Sequence, residues 1–234
     1  MINVDPQKGV SLDFGYVNAV ISPWERASVR ITPNEYFDRY TELLCERNFI
    51  LFDNESYLED NSSLSKRAGF VVKVPESAAI EIVAGRCVIR NCMVIAVKSQ
   101  KAELNDCKLL ENFRFVGEYA RVENSVIGDN SSFRAQTLAM RYCNCSTLIL
   151  NTNSINAEMS VELRNIRGEG VSLGTEQVRQ IHARLHHVRL NRLVVADSIK
   201  RGIIKLESSR IDHIKNNSSI PIMKSVLGHR RILA

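Results

Sequence analysis

Residues 120–130 read ARVENSVIGDN, with Val122 and Ile127 five apart, Asn124 and Ser125 between them, and Gly128, Asp129 and Asn130 directly after. Asn and Asp tolerate left-handed backbone angles and bond to neighbouring amides, so the stretch predicts a very short strand followed by a sharp corner. The same pattern returns along the chain. A shift of 18 residues superimposes Ala102 on Ala120, Leu104 on Val122, Asp106 on Asn124, Cys107 on Ser125, Leu109 on Ile127, Asn112 on Asn130 and Phe115 on Phe133. A shift of 15 brings Ile89, Asn91, Cys92 and Val94 onto Leu104, Asp106, Cys107 and Leu109. The two shifts differ by three, as they would if one side of a repeating coil gained or lost a few residues.

A smaller unit, Asn, Asp or Ser followed by Ser or Cys and then an aliphatic residue, recurs at 91, 106, 124, 144, 153, 197, 208 and 217. Recurrence at this density marks a repeat architecture. No proline occurs between Pro75 and Pro221, which fits continuous backbone pairing because proline cannot donate to a strand ladder. In a stack of parallel strands like meets like: aliphatic on aliphatic inside, Asn or Ser over itself at the corners. Small side chains suit inward positions beside a corner. The six cysteines, Cys45, Cys87, Cys92, Cys107, Cys143 and Cys145, therefore read as reduced packing residues. None has C-x-x-C spacing, and the C-x-C of Cys143 and Cys145 lacks a second ligand pair, so neither a metal nor a cofactor is expected.

The stretch ARVENSVIGDNSSF resembles the hexapeptide repeats of left-handed β-helices carried by acyltransferases and sugar-nucleotide pyrophosphorylases, where three hexapeptides make a coil of about eighteen residues. A second resemblance, to pentapeptide-repeat proteins, rests on positions 87, 92, 97, 102 and 107 with aliphatics at 89, 94, 104 and 109; Ser99 departs from it, and it ends near Arg114. An irregular right-handed β-helix is a third option, and the handedness is undecided. The expected fold is mainly β: a single-stranded parallel β-solenoid over 76–173, with an N-terminal α/β cap over 1–75 and a basic, helix-containing C-terminal region over 174–234.

In the cap, Thr32 as N-cap, Pro33 at the first helical position and a stripe of Tyr36, Tyr40, Leu43 and Leu44 predict an amphipathic helix. FILF then reads as a strand, the polar 53–67 as a loop, and GFVVKV as a strand. In the C-terminal region, Val178, Ile181, Leu185 and Val188 form a helical stripe after Gly174 and Thr175, while alternation of Ile181, Ala183 and Leu185 also permits strands. The helix is the preferred reading, with strands resuming at LVVADSIKRGIIKL.

Charge divides the chain unevenly. The formal net charge is +5, yet residues 1–175 hold 19 Lys/Arg against 22 Asp/Glu, and residues 176–234 hold 12 against 4. All five histidines also fall in the basic part. A basic end predicts an anionic neighbour, whether acidic protein, membrane surface or nucleic acid. The candidate contacts are Arg179, Arg184, Arg189, Arg192, Lys200, Arg201 and Lys205. No Phe, Tyr or Trp follows Tyr142, which argues against stacking on single-stranded bases from this region.

An acyltransferase needs a histidine base on a coil, and no histidine precedes His182, so the coils that best resemble hexapeptides hold no candidate. His182, His186 and His213 are the remaining catalytic candidates. The sequence therefore leans toward a non-enzymatic scaffold that presents a flat sheet to a protein partner. A bacterial effector or an immunity-type protein would fit this reading. The alternatives are a hexapeptide-repeat acyltransferase, and nucleic-acid or anionic-membrane binding through the basic segment. Oligomers could form through the solenoid's edges. The N-terminus shows no cleavable signal pattern and no window approaches the roughly 18 apolar residues of a membrane helix, so a cytoplasmic location is expected; export that reads a different signal stays open.

Overall fold

The computed structural model describes residues 1–34, 43–46, 48–52, 68–152, 157–174, 178–226 and 229–233. Among these the secondary structure is almost entirely β. The strands are β1 (Ile2–Asn3), β2 (Val10–Asp13), β3 (Asn18–Trp24), β4 (Ser28–Pro33), β5 (Leu43–Glu46), β6 (Phe49–Phe52), β7 (Gly69–Pro75) and β8 (Ala79–Arg90). They continue with β9 (Met93–Asn105), β10 (Lys108–Val116), β11 (Tyr119–Glu123), β12 (Val126–Ile127), β13 (Ser131–Arg134), β14 (Thr137–Arg141), β15 (Asn144–Asn151) and β16 (Glu158–Arg164). The last are β17 (Arg167–Leu173), β18 (Gln180–His186), β19 (Arg189–Val195), β20 (Arg201–Glu207), β21 (Arg210–Asn216), β22 (Ile222–Val226) and β23 (His229–Leu233).

Parallel pairing runs through two ladders. In one, β2, the first halves of β8 and β9, then β10, β12 with β13, β15, β17, β19 and β21 follow one another. In the other, β3, the second halves of β8 and β9, then β11, β14, β16, β18, β20 and β22 do the same. From β14 to β20, successive strands alternate between the ladders, so each pairs with the strand two further on. Antiparallel strands lie at the ends: β4 on β7, β1 on β4, β5 on β6, and β23 on β22.

The register carries the repeat read from the sequence. Ala102 pairs with Ala120, Leu104 with Val122, Leu109 with Ile127 and Phe115 with Phe133, all at a shift of 18. Ile89 pairs with Leu104 and Val94 with Leu109, at a shift of 15. The extra three residues enter between Leu109 and Arg114, around Asn112 at φ 58°. Inside the stack Phe133 meets Phe113 and Phe115, with ring centroids 5.3 and 6.2 Å apart, and all three are fully buried.

Among the described residues one corner is built the same way seven times. Asn91, Asp106, Asn124, Tyr142, Asn165, His187 and Ser208 all have φ between 49° and 55°. The next residue turns inward each time: Cys92, Cys107, Ser125, Cys143, Ile166, Val188 and Ser209 are all buried. The polar members satisfy the turn. Ser125 Oγ donates to Glu123 O at 2.7 Å and accepts the Cys107 N–H at 3.0 Å; Ser209 Oγ donates to Glu207 O and accepts the Val188 N–H at 3.0 Å. Left-handed angles cost a residue with a Cβ roughly 1–2 kcal/mol, less for Asn and Asp. His187→Gly is therefore expected to stabilise the fold by up to about 1 kcal/mol, and Asn124→Val to destabilise it by about 1–2 kcal/mol, in parallel urea titrations.

Two expected helices are absent where the structure describes them. Thr32 and Pro33, expected to open a helix, close β4, paired with Val71 and Phe70. A strand tolerates Pro33 there because β1 covers only Val29 and Ser28 on the other side. Leu43 and Leu44 belong to β5; residues 35–42 and the predicted loop at 53–67 lie outside the described residues. The expected helix after Gly174 is instead β18, a corner at His187, and β19. Val178, Ile181, Leu185 and Val188 are buried, as a helix would also bury them, so the stripe could not discriminate. Buried Ala183 and Leu190, with His182 and Arg184 exposed between buried neighbours, show the period of two. Pairing also runs unbroken across positions 75 and 174, because β2 and β3 join β8, and β16 joins β18.

Candidate functional site

The strands distribute the predicted basic residues around the stack. Arg184 on β18 pairs with Lys205 on β20, and Gln180 pairs with Arg201, so these outward residues share one face with exposed His182. Arg179 and Lys200 sit at a corner, where the N–H groups of Lys200 and Arg201 donate to Arg179 O at 2.8 and 3.0 Å. Arg189 and Arg192 lie on β19, in the other ladder. The sheet face carries some balancing acid: Arg184 Nε is 3.4 Å from Glu207, and Arg141 reaches Glu162 at 3.7 Å. Both pairs are partly exposed to solvent and contribute little to stability.

The three catalytic candidates His182, His186 and His213 are not brought together at one site. Four residues along a strand span about 13 Å, which separates His182 from His186 too far for one metal ion. Instead His186 and His187 stack, ring centroids 4.0 Å apart, because the left-handed corner at His187 turns its side chain back. His186 Nδ1 is buried without a partner among the described residues. His182 Nε2 lies 3.3 Å from Gln180 Nε2, and His213 pairs in register with Arg192. Among the described residues, no group of three or more His, Cys, Asp or Glu side chains is placed to hold a metal ion.

Beside the repeated corner, the C-terminal strands open a groove of about 1250 Å³. Arg167, Arg189 and Arg210 line it as one column, each in register with the next. Asn165, His187 and Ser208 line the same groove from the corner. The floor is tight: a Cβ on Gly168 would fall 2.3 Å from Cys145 Sγ. Arg167 escaped the charge analysis because it lies in the segment whose net charge is negative. Counting register outward from Arg189 would have found it.

Compared with known proteins, the chain matches no family model, no curated protein and no solved structure. No helix among the described residues is long and apolar enough to cross a membrane.

Proposed function

We propose that the chain is a β-solenoid that acts by binding, presenting the flat outer face of β16, β18 and β20 to an acidic protein partner. The observation that carries this reading is the register of Arg184 with Lys205 and of Gln180 with Arg201, beside exposed His182, on strands whose alternate residues are buried. Rigid pairing on both sides holds these side chains in fixed rows, which suits recognition of a folded partner with little ordering cost. Charge of this kind acts chiefly on encounter and specificity. The alternating ladders and the seven-fold corner support the solenoid reading, and the 18-residue register supports the likeness to hexapeptide coils.

The test is affinity capture with nuclease-treated lysate, using the whole chain and a double variant, Arg184→Glu with Lys205→Glu. A discrete protein retained by the parent and reduced at least about tenfold by the double charge reversal is the expected result. Capture of nucleic acid alone, lost on nuclease treatment, would contradict the reading, as would a partner indifferent to the reversal.

A further inference from the structure

The groove lies on the other ladder from the face assigned to the protein partner, and its chemistry differs. Arg167, Arg189 and Arg210 repeat at about the 4.8 Å spacing of neighbouring strands. Like charges directly opposite one another on adjacent strands are destabilising. Among the described residues, Arg167 and Arg189 have no ion-pair partner, and Arg210 has one, Asp212 at 3.2 Å, the one carboxylate among the described lining residues of the groove. The column is thus assembled against its own repulsion, with little internal neutralisation. Asn165, His187 and Ser208 sit at φ 54°, 54° and 49°, and Lys224 adds a further cation to the lining.

We propose that this groove binds condensed phosphate, an anion of two or more linked phosphate groups lying along the stack across the three arginines. A guanidinium presents a planar fork of donors, which one carboxylate can fill. A tetrahedral phosphate carries oxygens in several directions, so a single group bridges the forks of two adjacent strands. Three arginines offer two such bridging positions, and linked phosphates occupy both without a second association cost. The Asn165 amide and the Ser208 hydroxyl supply donors for oxygens the arginines leave open. Inorganic polyphosphate and a nucleoside triphosphate present the same chemistry.

Calorimetric titration of the full chain with phosphate, pyrophosphate, tripolyphosphate and a nucleoside triphosphate, all at matched ionic strength, tests the site. Affinity is expected to rise by about tenfold or more from phosphate to tripolyphosphate as charge-assisted bonds are added. Arg189→Gln is expected to weaken tripolyphosphate binding at least about tenfold. The unliganded variant should melt at or slightly above the parent's midpoint, because repulsion in the column is relieved, and this separates lost binding from lost folding. Arg184→Gln with Lys205→Gln should bind as the parent does. Tripolyphosphate binding well above the nucleotide assigns the site to free polyphosphate, and the reverse assigns it to a nucleotide. Equal affinity for all chain lengths would overturn the proposal, as would an equal loss in the Arg184/Lys205 variant, which would mark diffuse charge attraction. Neither result bears on the protein-binding face, whose test reads capture of a protein partner and not anion affinity.

Discussion

Gly117→Ala is expected to destabilise the chain by about 3 kcal/mol or more, one of the largest effects available from adding a single methyl group. A Cβ at this position would lie 1.8 Å from the carbonyl oxygen of Ser99 and 2.7 Å from the Phe115 ring. The first obstacle is backbone of the neighbouring turn, so no rotamer change relieves it. On the other side the Gly117 N–H donates to Arg134 O at 3.0 Å, which ties the segment to the next turn. Relief would require parting strands whose spacing is fixed by hydrogen bonds and by the stacked Phe113, Phe115 and Phe133. Gly170→Ala gives the opposite result. Its nearest neighbours would be Thr147 Cγ2 at 3.6 Å and Arg192 O at 3.7 Å, ordinary contacts, so alanine should add roughly 0.5–1 kcal/mol by reducing unfolded-state freedom. Denaturant titration of the two variants side by side checks the pair. A Gly117→Ala protein as stable as the parent would mean that the turns are not stacked this closely.

The second large effect is alkaline unfolding. Burial pushes the thiols of Cys87, Cys92 and Cys145 up to about 12 and that of Cys143 up to about 11, and it raises that of Cys107 as well. An unfolded thiol ionises near 9.0. Below that value both states are protonated and the stability is complete. Above it the unfolded state releases protons that the folded state retains, and each thiol costs about 1.4 kcal/mol per pH unit. Five such groups acting together exceed a typical folding free energy within one to two pH units. Cooperative loss of β-structure is expected between about pH 9.5 and 11, followed by circular dichroism. Cys107→Ser with Cys143→Ser should move the midpoint upward, since Ser125 and Ser209 already hold the equivalent corner position. In a Cys45→Ser background, where every remaining thiol is buried, thiolate absorbance appearing at pH 10 while the fold persists would contradict this linkage.

The repeat was legible where one turn resembles the next at a constant shift. Between residues 100 and 135 the corner uses Asp106 and Asn124, followed by Cys107 and Ser125, and the sequence states both the angle and the inward small residue. Beyond Tyr142 the same corner is filled by Asn165 with Ile166 and His187 with Val188, which lack the small-residue signature, and it returns only at Ser208 with Ser209. The register also lengthens there: Cys145 pairs with Gly168, and Ile181 pairs with Met159. A shift of 18 therefore finds nothing in this region. The motif at Asn144 was out of phase, because the corner in that turn is Tyr142–Cys143. The helical stripe through 178–188 misled for a related reason: the residues four and three apart fall on the inside of two strands joined by a corner. At the candidate sites, composition located the basic segment but could not distribute it. Strand register places Arg184 and Lys205 on one face and Arg189 in a groove with Arg167 and Arg210.

The most direct test of the stacked architecture is a spin-label distance series along one outward column. Glu103 pairs with Arg121, Arg121 with Ala139, Ala139 with Glu162, Glu162 with Arg184 and Arg184 with Lys205. In a Cys45→Ser background, which leaves only buried thiols, cysteine pairs at 103 and 184 and at 103 and 205 would be labelled and measured by pulsed dipolar spectroscopy. Mean separations of about 19 and 24 Å, one strand spacing apart, are expected. A separation at 205 equal to or shorter than that at 184, or a distance far from this line, would contradict the parallel stack on which every surface described above depends.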